Sequence, residues 1–330
     1  VLECVVANAF NDCGDTRVAN EETFADDAAQ EDVSAGCAIT NDVTGDDVLF
    51  DRNEVHEIYK EWRRLFDTYN PPRVAVAEAY VRPERLVHYS SPEELGQAFN
   101  FQLLEADFNA HEYRSIIDIS LREAKAQGSS TTWVLGNHDQ VRPATRYGLH
   151  PSVDRLRWKN SNGTTHPLDV ETGIKAATAA AMLIMALPGC TYIYQGEELG
   201  MTNVKWPHIS QYQDIETRNM FQVAVAQKGL NPEHVMKSIH AKGRDNARTP
   251  MQWTSEPQAG FTTGQPWLAV HDNFTQVNAQ QARAEEDSLF HYYRQLIALR
   301  KAWPVMVEGN FELLLPKHIA LFAYTRQLGD

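Results

Sequence analysis

Between Arg73 and Glu198 one arrangement recurs: a short β-rich run, most often closing on polar or acidic residues, with helix-like stretches between runs. The runs are residues 73–77, closed by Glu78; residues 98–104; residues 131–135, followed by Gly136-Asn137-His138-Asp139; and residues 191–194, followed by Gln195-Gly196-Glu197-Glu198. Such an alternation buries both faces of its strands when the strands lie parallel and the helices pack over them, so the expected class is α/β. In open and barrel forms of that class, sites are built at the carboxyl ends of the strands. Glu78, Asn137, His138 and Asp139 all fall there.

The helical stretches carry their own punctuation. Residues 54–69 place Val55, Ile58, Tyr59, Trp62 and Leu65 on one face and stop at Pro71-Pro72. Ser91-Pro92-Glu93-Glu94 starts a helical turn with proline at the first helical position. Residues 111–127 end at Gly128, residues 172–187 end at Pro188-Gly189, and residues 288–301 form a further helix. After Pro304 the pattern changes to β-like pieces at 311–315 and 319–324. The expected organisation is therefore an acidic segment at 1–47, an α/β body at 48–303 and the opening of a β-rich domain at 304–330. Residues 1–47 hold no Lys and only one Arg, Arg17, and are expected to be irregular or partly disordered. The chain begins at Val1 rather than Met, as expected of a fragment or a processed product.

Composition excludes several function classes. A net charge of -14 argues against nucleic-acid binding, which needs clustered Lys and Arg. No run of about 18 apolar residues is present, so no membrane partner is expected; the expected location is cytoplasmic. Cys4, Cys13 and Cys37 allow a disulfide among themselves or serve as free thiols; Cys190 stands apart, and no C-x-x-C pair suggests zinc. Asp26-Asp27 and Asp46-Asp47 lack the alternating spacing of a Ca²⁺ loop and read as solvated surface. No metal and no cofactor is expected.

Glu78 and Asp139 carry the chemistry. A carboxyl at the mouth of a sheet is partly desolvated, its pKa rises, and it suits a general acid. Two carboxylates converging on one pocket meet the requirement of glycosidic-bond cleavage. Structural roles compete: Glu78 could cap the following turn, and Asp139 could pair with Arg142 or Arg146.

Three segments resemble the late motifs of the α-amylase superfamily, glycoside hydrolase family 13: Val76-Ala77-Glu78-Ala79, Gly136-Asn137-His138-Asp139, and Tyr194-Gln195-Gly196-Glu197-Glu198-Leu199-Gly200-Met201. The run Ala241-Lys242-Gly243-Arg244-Asp245-Asn246-Ala247-Arg248-Thr249-Pro250-Met251-Gln252-Trp253 resembles the oligo-1,6-glucosidase, dextran glucosidase and α-glucosidase branch. Asp214-Ile215-Glu216-Thr217-Arg218-Asn219-Met220 and Ala259-Gly260-Phe261-Thr262-Thr263-Gly264 fit it too. The resemblance runs from about Asp51 to the C-terminus. It implies a (β/α)8 TIM barrel of which about strands five to eight are present, and a gluco-oligosaccharide or α-glucoside as substrate. Glu78 matches the family's general acid/base and Asp139 its transition-state-stabilising aspartate. His138, beside Asn137, matches a histidine on the same sugar ring, and Arg248 matches an arginine that recognises the terminal glucose. Phe261, Trp253 and Tyr194 could stack on sugar faces, although core packing is the commoner fate of such residues.

A retaining glycosidase also needs a nucleophilic carboxylate. The family places it in a Gly-x-Arg-x-Asp pattern before the general acid, and the chain has no such pattern; Gly14-Asp15-Thr16-Arg17-Val18-Ala19-Asn20 carries Ala19 where Asp is needed. The nucleophile is therefore unknown. Three functions follow as expectations: an exo-acting α-glucosidase inactive as this chain alone, a sucrose isomerase or transglucosidase, or a catalytically dead sugar-binding or subunit-like member. Half a barrel leaves strand edges unpaired, so poor folding or self-association is expected.

Overall fold

Five short strands run parallel and lie side by side in chain order. The computed structural model describes residues 4–8, 43–149, 153, 158 and 166–329. Strand β1 (Cys4–Asn8) pairs with β2 (Val74–Glu78), Ala7 opposite Ala77, and β2 pairs with β3 (Gly96–Ala98), Ala77 opposite Ala98. A parallel bridge between Phe99 and Thr132 leads to β4 (Thr132–Val134), which pairs with β5 (Cys190–Tyr192). Ala75, Val76, Ala77, Trp133 and Val134 are all buried. Strands buried on both faces are the mark of a parallel sheet covered by helices.

The covering helices are α1 (Asn53–Phe66), α2 (Pro83–Tyr89), α3 (Phe101–Glu105), α4 (Ala110–Ala126), α5 (Pro143–Arg146) and α6 (Val170–Met185). Tyr59 and Phe66 of α1 pack with Ala75, Ala77, Tyr89 and Leu95. A larger cluster joins Tyr113 and Ile117 of α4, Trp133, and Ala177, Ala180, Ala181 and Ile184 of α6. Strands β6 (Asn310–Leu314) and β7 (Ala323–Gln327) pair antiparallel, and Phe311, Phe322 and Tyr324 pack against that same cluster. Among the described residues no helix is long and apolar enough to cross a membrane.

Several boundaries differ from the sequence expectation, each for a local reason. The run at 98–104 is not a strand beyond Ala98. The Asn100 side chain accepts the Leu103 N–H at 2.9 Å, capping α3 and turning the apolar residues that follow into helix. The last two β pieces fall at 310–314 and 323–327, and His318 Nδ1 accepts the Ala320 and Leu321 N–H groups in the turn between them. In the acidic segment read as irregular, Cys4-Val5-Val6-Ala7-Asn8 is a strand, in keeping with its adjacent valines. The string from Gly14 to Asn20, the pair Asp26-Asp27, and Cys13 and Cys37 lie outside the described residues. Cys190 is a free thiol.

The loop before α1 is tied to α2 by a buried ion cluster. Arg85 Nε donates to Asp51 Oδ2 at 2.6 Å, Tyr89 OH donates to Asp51 Oδ1 at 2.8 Å, and His56 Nδ1 lies 2.8 Å from Glu94 Oε2. Burial alone would raise the Asp51 carboxyl, but His56, Arg85 and Tyr89 outweigh it and hold its pKa below the usual range. A depressed carboxyl stabilises the fold above its unfolded pKa, and that contribution is lost as pH falls through the folded value. Asp51→Asn is therefore expected to lower the unfolding free energy by about 2 kcal/mol at neutral pH. The gap to wild type should close toward roughly pH 3. Urea denaturation at the two pH values checks this, and equal neutral-pH stabilities would refute it.

Candidate active site

Glu78 ends β2, half-buried, and the next helix is not capped by any side chain, so the capping role weighed for Glu78 does not hold. Burial pushes the Glu78 carboxyl above its ordinary range; His138 opposes that rise and Asp139 adds to it. These three residues therefore share one electrostatic neighbourhood, although two different strands deliver them.

The second strand end is shaped by a tight local turn. Asn137 Oδ1 accepts the Asp139 N–H at 2.9 Å, fixing the direction in which Asp139 leaves β4. Gly136 is required by close approach: a Cβ there would lie 2.5 Å from Glu197 Oε1 and 3.2 Å from Pro143 Cδ. Asn137 is buried, His138 exposed and Asp139 half-buried.

Two arginines from the helical turn Asp245–Arg248 and its N-cap hold Asp139. Arg248 Nη2 donates to Asp139 Oδ1, and Arg248 Nε donates to the His138 carbonyl at 3.0 Å. Arg244 Nη1 lies 3.8 Å from Asp139 Oδ2, and His138 Nε2 lies 3.5 Å from Asp139 Oδ1. All five sequence-derived candidates, Glu78, Asn137, His138, Asp139 and Arg248, thus come together. The pairing of Asp139 with Arg142 or Arg146 does not occur, because both guanidiniums are buried and bonded elsewhere.

Sequence reasoning gave no role to Arg244, Asp214 or Glu216, which complete the cluster. Asp214 Oδ1 faces Arg244 Nη2 at 3.0 Å and Arg248 Nη1 at 3.5 Å; Glu216 Oε2 faces Arg244 Nη2 at 3.0 Å. Asp214 also caps its helix through Thr217 N at 2.9 Å and Thr217 Oγ1 at 2.6 Å. Burial alone would raise Asp214, but the Thr217 bonds and Arg244 hold its carboxyl below the ordinary range. The available signal was the spacing of Asp214, Glu216 and Thr217 ahead of a helix, which marks an N-terminus and fixes where a charged side chain points. Buried Asp245 locks this loop to the arginine turn by accepting the Gln213 and Asp214 N–H groups at 2.6 and 2.8 Å.

Core packing does not take Trp253 or Phe261, each 49% exposed, while Tyr194 is half-buried with its hydroxyl donating to the Ala247 carbonyl at 3.0 Å. The cluster as a whole offers a raised carboxyl that can give a proton, beside a carboxylate contacted by two guanidiniums. Each oxygen of Asp139 retains lone-pair capacity for a ligand O–H.

The model of the α-amylase catalytic domain matches residues 16–309, reaching back beyond Asp51 into the acidic segment. The oligo-1,6-glucosidase of Parageobacillus thermoglucosidasius is 35% identical over 291 residues, covering 84% of this chain and 48% of that protein. The crystal structure of Bacillus licheniformis trehalose-6-phosphate hydrolase is similar with a TM-score of 0.69 at 33% identity, over 86% of this chain and 50% of that one. The trehalulose synthase MutB of Pseudomonas mesoacidophila MX-45 is similar with a TM-score of 0.67 at 29% identity, over 84% and 49%. The chain spans about half the length of the curated relatives it matches.

Proposed function

Because the chain belongs to the α-amylase family of glycoside hydrolases, we propose that Glu78, Asp139 and Arg248 form the acid/base and sugar-holding part of a retaining, exo-acting α-glucosidase site for short gluco-oligosaccharides. The observation that carries this reading is the raised Glu78 carboxyl set beside an Asp139 gripped by Arg248 and approached by Arg244. Glu78 protonates the departing glycosidic oxygen. Asp139, with His138 and Asn137 around it, takes hydroxyls of the glucose ring as positive charge develops at the anomeric carbon. Arg248 orients Asp139 and presents donors to the same ring.

In this reading β2 to β5 are barrel strands five to eight, residues 48–303 belong to the barrel, and 304–330 open a β-rich C-terminal domain. The lack of a Gly-x-Arg-x-Asp pattern supports a chain inactive alone; we place it in the cytoplasm, and the strand edges left unpaired among the described residues favour self-association. The likeness to a trehalulose synthase favours a second reading, sucrose isomerisation, in which the same groups hold glucose while a fructosyl acceptor returns.

Calorimetric titration of the 330-residue chain with isomaltose and maltose tests the site. Binding is expected, weakened at least about tenfold in Arg248→Ala. No heat with either sugar would remove the reading. Turnover of p-nitrophenyl α-glucoside by the pure chain, abolished in Glu78→Gln, would instead show that a nucleophile is present.

A further inference from the structure

Arg142 has a place in the fold that no catalytic role explains. Its side chain is 2% exposed, and among the described residues no carboxylate is in ion-pair contact with it. A buried guanidinium without a carboxylate is costly unless its donors are otherwise met. Here neutral oxygens meet them: Nε donates to the Asn246 carbonyl at 3.0 Å, Nη1 to the Gln195 carbonyl at 3.0 Å, and Nη2 to the Ala247 carbonyl and Thr249 Oγ1, both at 3.1 Å. Three of these four acceptors belong to the segment 246–249, which carries Arg248.

A four-residue helical turn leaves its last carbonyls without helical donors. Asp245–Arg248 is such a turn, and Arg142 supplies the missing donors for Asn246 and Ala247. Tyr194 adds a second donor to Ala247 and places its ring 5.9 Å from the Arg142 guanidinium carbon. The approach needs Gly196, where a Cβ would meet Arg142 Nη1 at 2.9 Å. Arg142 N–H in turn donates to Asn203 Oδ1 at 3.3 Å, and Asn203 Nδ2 donates to the His240 carbonyl at 3.1 Å, near the end of the helix Pro232–Lys242 that leads into the turn.

We propose that Arg142 is a positioning residue: it fastens the arginine-bearing turn to the ends of β4 and β5, so that Arg248 meets Asp139. Its importance for sugar binding rests on the site reading above; its hold on the turn does not. A planar fork serves acceptors in several directions at once, whereas a lysine ammonium cannot span them.

Hydrogen exchange by mass spectrometry and calorimetry with isomaltose, both on the full chain, test this. In Arg142→Lys, exchange across 245–250 should accelerate about tenfold while α4 exchanges as in wild type, and isomaltose affinity should fall about tenfold. Tyr194→Phe, which removes the second donor to Ala247 and leaves no large cavity, should loosen the same peptide by a smaller factor and serves if the lysine variant does not fold. Wild-type exchange across 245–250 in whichever variants fold overturns the proposal. Local loosening with unchanged isomaltose affinity overturns the positioning of Arg248 for sugar. A wild-type chain that binds no isomaltose removes the glucosidase reading, and the exchange data still decide the role of Arg142.

Discussion

At about pH 8.5, Glu197→Gln is expected to be more stable than wild type by on the order of 4 kcal/mol, with the difference vanishing toward the ordinary carboxyl range. Glu197 is buried and its Oε1 has no hydrogen-bond partner, packed where a Cβ on Gly136 would stand. Burial pushes its pKa up to about 8; Arg146 and Arg142 offset part of that rise and Glu198 adds to it. Between the unfolded carboxyl pKa and about 8 the folded chain therefore holds a proton that the unfolded chain has released, so stability falls as pH rises through that interval. The amide keeps the shape and never ionises. Urea unfolding of both chains from about pH 5 to about pH 8.5 checks this. A variant less stable than wild type at the alkaline end would show that Glu197 is ionised against Arg146 and that burial does not dominate. The location matters because Glu197 lies directly under the turn that aims Asp139, so its ionisation bears on the site as well as on the fold.

The alternation of strand and helix was legible because periodicity and punctuation are local. Asp169 caps α6 and Gly128 lies just beyond α4, and the expected helices fall within a few residues of the observed ones. Strand ends were legible for the same reason, and with them Glu78 and Asn137-His138-Asp139. The run after Ala98 was misread because an apolar period cannot separate a short strand from a short buried helix; the Asn100 cap decided it. Partners were less legible than positions. Asp139 could be matched with Arg142 or Arg146, a few residues away, but the strand end turns it toward Arg248, 109 residues downstream. Arg142 illustrates the opposite error, since an arginine beside a carboxylate in sequence bonds only to neutral oxygens in space. Nothing in residue spacing reveals that a guanidinium will satisfy the open carbonyls of a distant helical turn.

Trp133→Ala is expected to cost roughly 4 kcal/mol of stability, among the largest effects of any single truncation in the chain. Trp133 is wholly buried in the middle of β4, opposite Thr191, and belongs to the cluster that joins α4 to α6. Its removal leaves a cavity that short strands fixed by ladder hydrogen bonds cannot close, and it strands the Pro188 carbonyl, which accepts the indole N–H at 2.7 Å. Trp133→Phe separates the two contributions: it keeps much of the ring volume and loses the hydrogen bond, so roughly 2 kcal/mol is expected. Because β4 delivers Asn137-His138-Asp139, the proposed site implies that the alanine variant also loses isomaltose binding under conditions where it is still folded, while the phenylalanine variant retains it. Denaturant midpoints at fixed chain concentration, paired with calorimetry, read both effects. Equal midpoints for the two variants would mean that the hydrogen bond to Pro188, and not the packing of the ring, holds this part of the sheet together.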